Sequence, residues 1–311
     1  MGLDPLILVF ALGVFARLAR SDLRFPEPVY EALSIYLLLA IGLKGGVELA
    51  HQPLAQVALP AAFAVFAGFA EPFILFPALL HGVGLKRADA ASVAAHYGSV
   101  SVVTFAIGSA YLQQRGIAYE SFLPVLLALM EAPGIIAGVV LARAGGAVAA
   151  GGASVYREVA VNKGIVLLIG GIVIGWMIGA EGFKPLKPVF GDLFRGLLAI
   201  YLLELGLVVG GRMPDLRRAG VKLVVFGLLS PLVLGALGVL LGHWLLGLSA
   251  GGATLFAVLL ASASYIAAPA AMRMAVPEAN PALGISAALA VTFPFNVFVN
   301  LPLLAWLGGR L

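Results

Sequence analysis

Stretches of about twenty apolar residues recur from one end of the sequence to the other, and no soluble fold can bury all of them. Wound as a helix at 1.5 Å per residue, each run crosses the ~30 Å hydrocarbon layer of a bilayer. Ten such runs are legible, at 5–20, 28–50, 53–81, 90–113, 122–143, 164–180, 191–213, 221–246, 252–274 and 282–307. The first and sixth are short for a full crossing, so a tilted or re-entrant element is expected at both. Composition points the same way: 62% of the 311 residues are hydrophobic and 11% are charged, where a soluble domain carries roughly a quarter charged residues. The expectation is an all-α integral membrane protein of about ten transmembrane helices.

The basic residues fix an orientation. Arg17, Arg20, Arg24, Lys86, Arg87, Arg143, Arg157, Lys163, Arg212, Arg217, Arg218, Lys222 and Arg273 follow the odd-numbered runs, whereas Arg115, Lys184, Lys187, Arg195 and Arg310 lie on the other side. Loops rich in Lys and Arg stay in the cytoplasm. Both termini are therefore expected outside a plasma (inner) membrane, with the central linker 144–163 inside. The net charge of +4 is spread over short loops and suggests no nucleic-acid partner. Cysteine is absent, which removes disulfides, thiolate metal sites and thiol catalysis.

An internal repeat divides the chain. Ile35-Tyr36-Leu37-Leu38 followed by Gly45-Gly46 recurs as Ile200-Tyr201-Leu202-Leu203 followed by Gly210-Gly211, at the same internal spacing. The same offset carries Ser99 onto Ser264 and Glu131 onto Asn296; coincidence between Leu- and Gly-rich stretches is the competing reading. Since each half holds an odd number of spans, the second enters the membrane inverted. The expected organisation is a first five-helix repeat at 1–143, the linker 144–163 and an inverted repeat at 164–311. Inverted repeats are the usual build of secondary transporters, with the substrate site where they meet.

Spans four and nine carry the candidate site. Span four reads Ala95-His96-Tyr97-Gly98-Ser99-Val100-Ser101-Val102-Val103-Thr104-Phe105, and span nine reads Ala261-Ser262-Ala263-Ser264-Tyr265-Ile266-Ala267-Ala268-Pro269. Both are rich in small and hydroxyl residues and contain Gly or Pro near mid-membrane, so both are expected to break. Small residues also serve close helix packing, which is the bland alternative. A break at membrane depth exposes amides at one half-helix end and carbonyls at the other, tolerable only in protein or beside a wet cavity. Positive half-helix ends suit an anion, while carbonyls and hydroxyls suit Na⁺.

Ionisable residues inside spans are costly and commonly functional. Lys44 and Glu48, four apart, are expected to pair. Glu131, beside Pro133, is placed as a Na⁺ ligand, a proton carrier or a neutraliser of a neighbouring cation, with its repeat partner Asn296, and Asn300 one turn later, supplying neutral oxygens. Glu71, Glu204 and His96 are further candidates. The sequence holds no P-loop, no dinucleotide fingerprint, no HExxH and no nucleophile elbow, so neither an enzyme nor ATP-driven transport is expected.

Ser21-Asp22-Leu23 with Pro26-Glu27, the run Ala32-Leu33-Ser34-Ile35-Tyr36-Leu37-Leu38-Leu39-Ala40-Ile41-Gly42-Leu43-Lys44-Gly45-Gly46-Val47-Glu48-Leu49, and Ala95-His96-Tyr97-Gly98-Ser99-Val100-Ser101 together resemble the sodium-dependent bicarbonate transporter family. The likeness is strong through spans one to four and collinear beyond. It implies Na⁺-coupled bicarbonate symport by alternating access, no cofactor besides the coupling ion, a homotrimer and a PII-like regulatory protein docking from the cytoplasm. Carried onto this chain, the substrate site falls around Gly98, Ser99, Ser101, Ser262 and Ser264, the positions the residues themselves suggest, with Tyr265 beside them; backbone carbonyls with Thr104, Glu131 or Asn296 are expected to hold the ion. Two other readings stay open: Na⁺-coupled transport of a small organic anion, and proton-coupled cation antiport.

Overall fold

The computed structural model describes residues 4–50, 52–144 and 161–311, with the side chains of 54 and 215–219 outside that description. Those residues form helices joined by turns. The first, α1 (Pro5–Leu18), starts on Asp4, whose carboxylate accepts the Leu6 N–H at 2.9 Å; such a cap satisfies one of the orphan amides of a helix start. Next come α2 (Glu27–Leu49) and α3 (Leu54–Pro77), the latter running on through wide π turns to Val83 and stopping at Gly84 with φ 84°. Two shorter helices follow, α4 (Arg87–Gly98) and α5 (Val102–Gln114), then α6 (Leu123–Arg143).

Beyond the linker lie α7 (Lys163–Phe183), α8 (Phe194–Ala219) and α9 (Val221–Leu240), with Gly220 at φ 84° turning the last two. The chain ends in α10 (Ala250–Ala261), α11 (Ala267–Ala275) and α12 (Pro281–Gly308). π turns occupy α12 on either side of Phe293–Phe295. Pro294 lacks an N–H and crowds the preceding turn, and a widened turn relieves both.

Among the described residues eight stretches are long and apolar enough to cross a membrane, one of them being α4 and α5 taken together (Arg87–Gln114). Two shorter apolar helices, α1 and α10, accompany them. The outer faces are apolar and exposed, as Phe66, Ile74, Trp176 and Met177 show, which is what lipid rather than water would cover. The chain is a multi-pass membrane protein. The sixth span, expected to be short, lies in α7, where Asn162 caps the start and Gly179 (φ 58°, ψ −168°) breaks the helix just before Ala180, so its regular part is short as the sequence suggests. The linker expectation falls almost wholly on 145–160, outside the described residues.

Packing sorts the helices into two groups. α1 lies along α8 and α2 along α7, both at glycine contacts. A Cβ on Gly42 would stand 2.7 Å from the Leu168 carbonyl oxygen, and one on Gly13 or Gly206 would strike the opposing backbone. Without a hydrophobic drive between helices in lipid, such close backbone approach supplies the attraction. The second group packs α3, α6, α9 and α12 around α4, α5, α10 and α11, whose residues are nearly all buried. Phe256, Tyr97, Leu112 and Met130 fill that interior.

Candidate solute site at two broken helices

Two interruptions meet inside the second group. α4 ends at Gly98, and Ser99 (φ −104°, ψ 134°) and Ser101 (φ −106°, ψ 110°) are extended before α5 begins. α10 ends at Ala261, Ser262 is extended (φ −90°, ψ 165°), and helix resumes at Ala267. Gly98 is required where it stands: a Cβ there would lie within 2.6 Å of the Pro72 Cδ and 2.9 Å of the Gly68 carbonyl. Gly134 of α6 is pressed just as closely against the Gly98 backbone.

The two breaks are hydrogen-bonded to each other. The Ser264 N–H donates to the carbonyls of both His96 (2.6 Å) and Ser99 (2.9 Å). The Ser101 N–H donates to Ser262 Oγ at 2.9 Å, and Ser262 Oγ–H donates in turn to the Leu259 carbonyl. Ser101 Oγ caps α5, accepting from the Thr104 amide (3.2 Å) and the Thr104 hydroxyl (2.9 Å). Asn296 Nδ2 donates to the Ala261 carbonyl at the end of α10 (2.6 Å), and Asn300 Nδ2 bridges Asn296 Oδ1 and the Pro231 carbonyl. Thus α4 and α10 have carbonyls near their ends tied to protein donors, whereas the N-termini of α5 and α11 face a void.

That void is a cavity of about 20 Å³ lined by Leu38, Val100, Ser101, Val102, Glu131, Gly164, Ser264, Tyr265, Ile266 and Ala267. It has room for about one water-sized occupant. Val102 opens α5, Ala267 opens α11 and Gly164 lies in the first turn of α7, so three helix N-termini converge there. Each carries up to half a positive charge from its aligned peptides. Glu131 enters from α6 and stands against Gly164. Buried polar atoms are normally bonded, yet Glu131 Oε2, the Tyr265 hydroxyl and Ser99 Oγ have no partner. The first two line the cavity and Ser99 lies beside Ser264, so unsatisfied polar groups are set in a mostly apolar wall.

Of the expected residues, Ser101, Glu131, Ser264 and Tyr265 share this cavity. Gly98, Ser99, Ser262, Thr104 and Asn296 form the scaffold around it: Ser262 and Thr104 spend their hydroxyls on the break itself, and Asn296 on an α10 carbonyl. Gly164 and Leu38 escaped the sequence reading; the capping Asn162 ahead of an apolar run was the available signal for the α7 start. The Lys44–Glu48 pair expected from their spacing does not form. Lys44 instead holds its ammonium 4.3 Å from the Phe194 ring centroid, where the π face competes for it. His96 bonds the Ser92 carbonyl through Nδ1 (2.8 Å), and a Cβ on Gly284 would touch its ring.

Glu71 is buried, with both carboxyl oxygens unpartnered. It stands in Gly68-x-x-Glu71-Pro72, which recurs as Gly227-x-x-Ser230-Pro231. Pro72 abuts Gly98 of the first break, while the Pro231 carbonyl receives Asn300 beside the second. Each stretch thus stands near one of the breaks, the first on α3 and the second on α9.

Comparison with protein families covers nearly the whole chain. The family model described as the Na⁺-dependent bicarbonate transporter superfamily matches residues 5–308. Comparison with curated proteins returned no match.

Proposed function

The chain belongs to the Na⁺-dependent bicarbonate transporter superfamily, and from that premise we propose that it is a Na⁺-coupled bicarbonate symporter working by alternating access. The observation that carries the reading is the convergence of three helix N-termini on one small cavity with unpartnered polar groups. Aligned amides at a helix start are a ready anion site, and bicarbonate also offers an O–H for a hydroxyl or carboxylate to accept.

Glu131 supplies the coupling. When ionised, it puts an anion where the substrate anion would bind. Two negative charges cannot share a low-dielectric cavity unless a cation joins them, because an unpaired buried charge is very costly. Na⁺ held by Glu131 brings the loaded site near neutrality, and Thr104 and Asn296, bonded into the scaffold behind the cavity wall, add oxygens only as the site rearranges. Without the anion, Glu131 and the three helix ends compensate each other, so the empty site is also tolerable. A cavity sized for one water must widen to admit a four-atom anion, and it lies between the two helix groups: Leu38 and Gly164 come from α2 and α7, the rest from the crossing bundle. Relative movement of the groups is the natural way to open it.

Two inverted halves, 1–143 and 164–311 with the linker between, fit the swapped pairing of α1 with α8 and α2 with α7 and the repeated Gly-x-x-[Glu/Ser]-Pro stations. Ten crossings follow when α4–α5 and α10–α11 each count as one. Both termini outside an inner membrane, a homotrimer and a cytoplasmic PII-like regulator belong to the same reading, the last two through family resemblance alone. No arginine lines the cavity among the described residues, which disfavours a larger organic anion that needs bidentate pairing.

Labelled bicarbonate uptake into proteoliposomes tests the proposal. Saturable uptake that collapses without an inward Na⁺ gradient is expected, and Na⁺-independent uptake or none at all sinks it. In the same assay Ser99→Ala combined with Ser264→Ala should cut uptake at least tenfold, ~1.4 kcal/mol or more of lost stabilisation. Uptake unchanged by the pair would remove the crossing from the substrate path.

A further inference from the structure

We infer that the protein holds a second small-oxyanion site, in a vestibule on the opposite side of a one-turn hydrophobic layer from the crossing, with the Lys44 ammonium as its cation. The vestibule is a cavity of about 520 Å³ between the two helix groups, lined on one side by Ile41, Lys44 and Glu48 of α2 with Lys187, Asp192 and Phe194, and on the other by Phe105, Ser109, Gln113, Tyr119 and Ser121. That volume is typical of a built ligand pocket. Its floor is Ile41 and Phe105, both buried. Leu38 and Val102, one turn back along the same two helices, line the crossing cavity, so a layer about 5.4 Å thick separates the two spaces.

Four charged groups face this vestibule, and they are not equivalent. Glu48, Asp192 and Lys187 are exposed at the mouth, where water screens them. Lys44 is half-buried at depth, with no carboxylate within 4.0 Å and its ammonium over Phe194. A cation inside a span is a functional group by default; of the acidic groups at the mouth, Asp192 acts on it only through space and beyond ion-pair reach, so an arriving anion supplies the contact partner that Lys44 lacks. The wall opposite supplies donors and acceptors suited to an oxyanion. Ser109 and Tyr119 share a hydrogen bond at 2.5 Å, Gln113 Nε2 donates to the Tyr119 hydroxyl at 2.7 Å, and Ser121 Oγ is buried without a partner. Phe194 and the aliphatic wall hold Lys44 in place, so the charge is preorganised. Such a site concentrates the anion one turn from the crossing before the layer opens. Only the choice of bicarbonate as probe rests on the proposed function; the site itself does not require transport.

The chain lacks cysteine, so Ser121→Cys gives a single thiol in the vestibule wall. Its modification by anionic methanethiosulfonate ethylsulfonate is timed on the full purified chain, in sodium bicarbonate and in sodium chloride of equal ionic strength. Bicarbonate should slow the reaction about fivefold at roughly four times its Kd. Protection should persist with Lys44→Arg, vanish with Lys44→Met, and survive Ser99→Ala with Ser264→Ala. Equal rates in the two salts, or protection that outlasts Lys44→Met, would overturn the site. So would protection lost with the serine pair, since it would then belong to the crossing. Ser109→Cys repeats the test from the same wall if the thiol at 121 perturbs folding or fails to react. A chain that shows protection yet transports no bicarbonate would fail the transport proposal alone; one that transports bicarbonate without protection would fail the vestibule alone.

Discussion

Ser99 and Ser262 look interchangeable as sequence and are opposites as chemistry. Ser262 both accepts from the Ser101 amide and donates to the Leu259 carbonyl, so it holds the break in shape. Ser99 Oγ is fully buried and bonds nothing. Removing a hydroxyl that leaves a buried partner stranded costs ~1–3 kcal/mol, whereas removing an unpaired one costs little. Ser262→Ala should therefore lower the thermal midpoint in detergent by several degrees, while Ser99→Ala leaves it within about a degree and loses uptake instead. A matched fall in both midpoints would mean that Ser99 is structural. Glu131→Gln separates charge from shape at the same scale. It removes the anion that Na⁺ must neutralise, so bicarbonate binding should persist while its dependence on Na⁺ is lost. Binding that still requires Na⁺ would place the ion elsewhere.

At the scale of elements, one face of α2 records the whole route. Tyr30, Ser34, Leu38, Ile41, Lys44 and Glu48 follow helical spacing; Leu38 lines the crossing cavity, and Ile41 to Glu48 line the vestibule. The opposite edge of this helix is used for packing, with Gly42 and Gly46 set against α7. A bulky residue at such a contact forces the backbones apart at a typical cost of 1–3 kcal/mol. Gly46→Leu and, by the same geometry, Gly206→Leu should lower the midpoint and expose α7 or α8 to protease. An unchanged midpoint would show that these glycines are incidental.

The element scale also shows what the sequence could carry. Helix positions came from apolar run length, and the broken spans from Gly-Ser-x-Ser and Ser-x-Ser-Tyr inside such runs. Lys44 and Glu48 misled because spacing reveals which residues can meet on an isolated helix, not which neighbour wins; Phe194, 150 positions away, took the ammonium. Gly164 was invisible for a related reason. It lines the cavity with backbone alone, its amide already bonded to Asn162 Oδ1, and it has no side chain of its own to mark it.

For the molecule as a whole, the two ends of the route differ. On the vestibule side, an open cavity extends down to Ile41 and Phe105. On the other side Tyr30 and Tyr201 stack with ring centroids 5.2 Å apart, and the Tyr201 hydroxyl donates to that of Tyr30 at 3.0 Å, with Ser34 within 3.5 Å. One end thus carries an open cavity and the other this aromatic contact, and in the proposed orientation with both termini outside the open end faces the exterior. Alternating access makes a reciprocal demand on these two ends. In intact cells an impermeant thiol reagent should label Ser121→Cys, and Tyr30→Cys should be reached only in inside-out vesicles. Adding Na⁺ with bicarbonate shifts the population toward the inward-open form, so labelling at 121 should slow while labelling at 30 accelerates. Both sites speeding up together would describe a channel, and both remaining unchanged would mean that Na⁺ and bicarbonate bind the two forms equally and cannot drive the cycle.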